Sequence, residues 1–283
     1  MQVSVRPSRL ISVLAALFVS SAAALADPVP VRVVSVNLCT DQLALMLAAP
    51  GQLISVSRLS HDPDSSVLLE AARAIPANGS GAEEVYILQP DLVLAGIYSS
   101  QATVQMLRGL GIRVELFRPA RSLADVPERI RQMGAVLGRE AEAEALVARF
   151  ETQLATLDDA PSHRPRAALY HVNNYTSGTA TLAGDILRIA GFDNITTEAG
   201  IGASGTLQLE QLIMLAPDVI IRGYDYPGQA RAEDNLTHPA LGMVERTVKP
   251  VSLVYRDWIC GTPQVLEAVR DMRNLRRAME ADQ

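Results

Sequence analysis

The chain has 283 residues and carries 25 lysines and arginines against 31 aspartates and glutamates, a formal charge of −6. That balance offers no basic field for a phosphate backbone and excludes nucleic acid as a partner. Two cysteines are too few for a disulfide-built scaffold, so the fold must stand on its own apolar core.

The N-terminus places Arg6 and Arg9 before the apolar run LISVLAALFV and closes on Ala24-Leu25-Ala26. This predicts a cleavable signal peptide over residues 1–26 and an exported protein, because the run is far shorter than the ~20 residues of a membrane-spanning helix. Roughly 255 residues remain, enough for two medium domains.

From Val31 onward short β-branched runs alternate with amphipathic segments, the pattern of βα units around a parallel sheet. VRVVSVN, LISVS, DLVLAG and RVELF predict the strands of a first lobe, residues 27–122. DQLALMLA predicts a helix capped by Thr40 or Asp41. Between Ser122 and Leu157 only helical periodicity is present, with Leu146, Phe150, Leu154 and Leu157 on one face. Gly134 and Gly138 are expected to divide it. The part from Arg139 to Leu157 would span nearly 30 Å at ~1.5 Å per residue, the length of a strut. Residues 123–160 are therefore read as a helical linker. RAALYHV, DVIIRG and VSLVY predict the strands of a second lobe, residues 161–283.

The two lobes share a phrase. AEEVYILQPDLVLAG, from Ala82 to Gly96, returns as LEQLIMLAPDVIIRG, from Leu209 to Gly223; Glu83 precedes Pro90-Asp91 as Glu210 precedes Pro217-Asp218. Matching spacing on both sides of the linker implies two similar units.

Ligands of open parallel sheets sit beyond the carboxyl ends of the strands. The candidates there are Asn37, Cys39 and Thr40; Arg58 and His61; Ile97 and Tyr98; His171, Asn173, Asn174 and Tyr175; Tyr224 and Tyr226; and Arg256, Trp258 and Cys260. Aromatic residues make up 4% of the chain, yet five of them fall in these loops, which suits a large, flat, partly apolar ligand. His61 and His171 are candidate metal or axial ligands. Arg58, Arg118 and Arg256 are candidates to fork onto carboxylates or hydroxamates. The cysteines admit three readings: a Cys39–Cys260 disulfide pinning the lobes at the cleft, two thiols facing the ligand, or simple burial.

An exported hydrolase would need a G-x-S-x-G elbow after a strand, and none is present. Gly200–Gly205 is glycine-rich but has no strand immediately before it, so it reads as a loop. A receptor for a bare transition metal would have to use His61, Cys39, His171 and Cys260, without a histidine-rich loop in support.

In their order, RVVSVNLCTDQL, the HDP turn at His61, the two Glu-to-Pro-Asp phrases, the strut, AGDILRIAGFDN, and Trp258 followed by CGTPQVLEAV make the chain resemble the periplasmic binding proteins of iron-siderophore and cobalamin uptake. The resemblance implies an α/β fold of two Rossmann-like lobes joined by a single long α-helix. It also implies a bulky metal chelate, a ferric siderophore or cobalamin-like corrinoid, held between the lobes. It implies no catalysis and no cofactor, and a periplasmic monomer that delivers its ligand to the membrane permease dimer of an ABC importer. Finally, it implies that Glu83 and Glu210, or Glu84 in place of Glu83, dock on permease arginines. The two cysteines depart from the commonest family pattern.

Overall fold

From residue 28 onward, the computed structural model describes residues 28–157, 159–222, 234–246, 248–252 and 256–281. The expected signal peptide and both Tyr224 and Tyr226 lie outside them.

The first unit is a parallel sheet of β1 (Val33–Ser35), β2 (Leu53–Ser57), β3 (Ala77–Asn78), β4 (Leu92–Gly96) and β5 (Arg113–Phe117), in the order β3-β2-β1-β4-β5. Helices α1 (Leu38–Leu47), α2 (Leu69–Arg73), α3 (Ala82–Ile87) and α4 (Gln101–Gly109) alternate with the strands. Leu92, Val93, Leu94 and Ala95 are all fully buried, as expected of a strand covered on both faces. The cap of α1 differs from expectation. The Asn37 side chain accepts from the N–H groups of Cys39 and Thr40, while Thr40 and Asp41 are buried within the first turn. Asp41 instead takes the hydroxyls of Ser57 and Ser60.

The connection is two helices, α5 (Val126–Leu137) and α6 (Glu140–Ala155). Gly138 alone divides them, in the left-handed conformation at φ 68° that favours glycine. Gly134 stays inside α5, where a Cβ would come within 2.4 Å of Ala143, so its lack of a side chain permits the close packing of α5 on α6. The strut is α6, 16 residues and about 24 Å long. At its start the Arg139 guanidinium donates to the Leu47 carbonyl of the first unit. At its end Arg273 donates to the Thr156 carbonyl, and Asp159 pairs with Arg273, Arg276 and Arg277 of the last helix. The predicted apolar face is present: Phe150 and Leu157 are buried, and Leu146 and Leu154 pack against the same core.

The second unit comprises β6 (Arg166–Tyr170), β7 (Tyr175–Ser177), α7 (Leu182–Ile189), β8 (Asp193–Asn194), β9 (Ser204–Thr206), α8 (Leu209–Leu215), β10 (Val219–Arg222), α9 (Pro239–Val244), β11 (Lys249–Ser252), α10 (Arg256–Ile259) and α11 (Val265–Ala281). Its parallel sheet runs β11-β10-β6-β8, and β7 pairs antiparallel with β9. Part of the Gly200–Gly205 stretch is therefore strand, because Ser204 to Thr206 find backbone partners in Tyr175 to Ser177.

The repeated phrase folds alike twice. Asp91 accepts the N–H groups of Val31 and Arg32, while Asp218 accepts that of Arg166. Arg32 donates to the carbonyls of Leu88 and Gln89, and Arg166 to that of Ala216. Gln89 and Ala216, each just before the Pro-Asp pair, both take positive φ, 49° and 44°. The Pro-Asp signal thus marks the same helix stop and strand lock in both units.

Candidate functional site

In the first sheet the strand order reverses between β1 and β4, and a crevice opens there at the carboxyl edge. Asn37 follows β1, and Gly96, Ile97 and Tyr98 end or follow β4. A Cβ on Gly96 would come within 3.2 Å of Asn37, so the glycine lets the two chain ends close up at the crevice floor. Here a cavity of about 580 Å³, open mouth included, is lined by Asn37, Cys39, Thr40, Tyr98, Phe117, Arg118 and Arg129 of the first half, and by Ile259 and Gly261 from the second. Tyr98 is 78% exposed and also borders two adjoining cavities, one under α4 and one beside Arg118, Arg121 and Arg129.

Among the described residues, several contacts tie the halves together near this edge. Cys39 and Cys260 form a disulfide with a Cα separation of 5.2 Å, which selects the first of the three cysteine readings. The N–H of Leu123 donates to the buried carboxylate of Asp185, at 2.8 Å. Arg256 donates to the Pro63 carbonyl across 193 positions. Gly261 lies against Ala120, where a Cβ would be 2.2 Å away, so the Cys260 segment can approach only without a side chain there.

The remaining candidates fall in several places. His61 points Nε2 at the carbonyls of Ala72 and Ile75, at 2.9 and 3.0 Å; with two acceptors facing it, that nitrogen carries the proton and the ring is held within the first unit. Arg58 is exposed on the far side of β2, 4.0 Å from Glu84. Trp258 packs half-buried against the main core, while its neighbour Ile259 reaches the cavity. His171 and Tyr175 tilt together at 5.9 Å between ring centroids at the end of β6, and burial holds the His171 imidazole below its ordinary pKa. Between them Asn173 and Asn174 both take positive φ, a tight non-glycine turn that presents Asn173 to solvent. The bare-metal set is dispersed by these positions: both its sulfurs are spent in the disulfide, and no group of three or more His, Cys, Asp or Glu able to hold a metal occurs among the described residues. Phe117, Arg129, Ile259 and Gly261 were not legible as site residues. Arg129 lies within a helix read only by its periodicity.

Two parallel α/β units joined through α5 and α6, with a crevice at the carboxyl edge of the first sheet that Ile259 and Gly261 of the second half also line, have the architecture of a two-lobed solute receptor. The chain belongs to the periplasmic binding protein family, whose sequence model matches residues 33–223. It is 31% identical over 210 residues to a cobalamin-binding protein of Halobacterium salinarum, covering 72% of this chain but only 57% of that relative's length. It is 25% identical over 255 residues to the vitamin B12-binding protein of Pectobacterium atrosepticum, covering 86% and 88% of the two chains. Among solved structures, the periplasmic heme-binding protein RhuT of Roseiflexus sp. RS-1 superposes with a TM-score of 0.71 at 20% identity, over 86% of this chain and 96% of that one. HutB of Vibrio cholerae gives 0.70 at 21%, over 86% and 98%. These two likenesses establish the fold.

Proposed function

We propose that this chain is the exported receptor of an ABC importer, capturing a bulky metal chelate between lobes 27–122 and 161–283 and carrying it, as a monomer, to a membrane permease. Residues 123–160 act as the linker and residues 1–26 as the leader. The observation that carries this reading is the crevice at Tyr98: a largely exposed aromatic residue borders three cavities, at the reversal point of the sheet. A wide ring with one polar handle suits a planar chelate. The names of the cobalamin- and B12-binding relatives make a corrinoid the first ligand to test, ahead of haem and ferric siderophores.

The permease contact is assigned to the duplicated helices α3 and α8. Glu83 and Glu210 are both exposed, and each is followed three and four positions later by exposed apolar residues, Tyr86 and Ile87 in one lobe and Ile213 and Met214 in the other. Ile87 and Met214 are 77% and 83% exposed. A partner built of two like subunits would meet the same acid-plus-apolar patch twice.

The test is a thermal-shift screen of the mature protein with cyanocobalamin, haemin, a ferric hydroxamate and a ferric catecholate. A ligand present at 100 times its Kd should stabilise by about 2.7 kcal/mol. Failure of all four to raise the Tm would remove the chelate reading.

A further inference from the structure

We infer that the Cys39–Cys260 disulfide is a redox latch on the crevice: it fixes the spacing of the two halves at the cavity, a dithiol entering the cavity opens it, and a ligand seated there shields it. Only the shielding rests on the proposed binding function; the latch itself is testable without a ligand.

The two halves are joined in two unlike ways. Through the linker, one apolar cluster runs from β1 and α1 by way of α5 and α6 to β6 and α11, and includes Val33, Leu43, Met133, Phe150, Leu169 and Val269. Buried apolar surface of this kind holds without further help. At the cavity edge the described ties are the disulfide, the backbone N–H of Leu123 on the Asp185 carboxylate, and the exposed Arg256 guanidinium on the Pro63 carbonyl.

Close in the chain to two of those ties stand buried polar atoms with no protein partner. Gln42, one turn along α1 from Cys39, has both amide atoms buried and unpaired; Gln264, four positions after Cys260, has a buried, unpaired Oε1. Ser66, three positions after Pro63, has a buried, unpaired Oγ. Groups left in this state oppose burial, because water would satisfy them. The residues beside the disulfide therefore favour parting and hydration, and the covalent bond keeps them together.

The bond is open to attack from one end. Cys39 is partly exposed and lines the cavity, whereas Cys260 is only 2% exposed. A thiolate in the cavity attacks the Cys39 sulfur, and the electron pair of the S–S bond leaves on the Cys260 sulfur, which then takes up a proton. The second sulfur of the same dithiol displaces Cys39 as a thiol, so the reagent departs as a cyclic disulfide and both cysteines end reduced. The edge at the cavity then loosens while the apolar cluster still joins the halves. An occupied receptor keeps its latch, because the ligand fills the space through which the dithiol must come.

The experiment treats the oxidised mature protein with dithiothreitol at several urea concentrations below the unfolding transition, traps free thiols with N-ethylmaleimide and maps them by mass. Reduction should be first order in dithiol and insensitive to urea, with the mixed disulfide found on Cys39. Amide exchange around Gln42 and Gln264 should rise in the reduced protein and in C39S/C260S, while that of α5 and α6 stays unchanged. Cyanocobalamin or haemin, whichever binds, should slow reduction about a hundredfold when present at 100 times its Kd, since only the free receptor reacts. A reduction rate that climbs with urea from the lowest concentration would overturn the latch, because the bond would then be reached only through unfolding. Unchanged exchange after reduction, or loss of the far-UV circular dichroism signal, would overturn it as well. Equal reduction rates with and without a bound chelate would overturn the shielding. If neither chelate binds, the proposed ligand class fails, and the urea and exchange measurements still decide the latch.

Discussion

Cys39 and Cys260 stand 221 positions apart in the chain, yet their disulfide brings the Cα atoms to 5.2 Å, one at the start of α1 and the other just beyond α10. It ties the two halves at the cavity that Cys39 lines, with the neighbouring Gly261 packed against Ala120 and Val126 at the start of α5. Replacing both cysteines by serine should cost about 2–5 kcal/mol in urea unfolding. It should also speed amide exchange in the Leu123 and Asp185 segments, which lie at the same seam. Unchanged exchange there would show that the Leu123–Asp185 contact and the strut hold the lobes unaided.

Asp159 anchors the end of the linker. Burial opposes its charge, but the guanidinium groups of Arg273, Arg276 and Arg277 outweigh burial and hold its carboxyl below the usual range. Arg276 is almost wholly buried, and two of its bonds go to Asp159. Asp159→Ala should therefore destabilise by about 3–5 kcal/mol, the cost of a buried charge losing its partner. Denaturant midpoints would measure it; a loss below 1 kcal/mol would mean that Glu280 and the Ala190 carbonyl suffice for Arg276.

His171 gives a pH dependence of defined sign. Burial lowers its pKa, so the folded protein binds this proton less readily than the unfolded chain does. The stability it permits is full above the unfolded value of about 6.5 and is lost as the pH falls toward the folded value. Melting temperatures from pH 8 to pH 5 should fall more steeply for wild type than for His171→Gln. Parallel curves would remove the histidine from this behaviour.

Asp41 acts with the opposite sign. Burial pushes its carboxyl up, against the hydroxyls of Ser35, Ser57 and Ser60 that draw it down, and its Oδ1 is buried without a partner. A raised folded pKa means that protonation favours the folded state, a contribution lost as the pH rises. Asp41→Asn keeps an acceptor for the serines and removes the buried charge. It should be at least as stable as wild type at pH 7, with the advantage shrinking toward pH 4, as chemical denaturation at the two pH values would show.

For docking, Glu83→Lys combined with Glu210→Lys should abolish uptake in cells while leaving ligand affinity and Tm nearly unchanged, because both residues are exposed and lie away from the crevice. Ile87→Ser with Met214→Ser should weaken transport by the same route. Normal uptake by the glutamate pair variant would remove the assignment of this surface.

The alternation of β-branched runs with amphipathic segments made β2 and β5 legible to the residue, since LISVS and RVELF alternate apolar with polar side chains at the two-residue period of a strand. The duplicated Glu-to-Pro-Asp phrase revealed two like units, because Asp91 and Asp218 each accept from the backbone that opens the neighbouring strand, β1 in one unit and β6 in the other. Both signals are carried by residue patterns along the chain, a two-residue period in one case and a repeated phrase in the other. The site was legible only as a set of loop residues. Asn37, Cys39, Thr40 and Tyr98 do line the crevice, but His61 turned to carbonyls of its own lobe, Arg58 to Glu84, and Trp258 to the core. Which way a loop side chain points is settled by acceptors and apolar surface contributed from distant positions. The pairing of Cys39 with Cys260 and the approach of Gly261 to Ala120 came from the tertiary structure alone, since each depends on how the second lobe packs against the first.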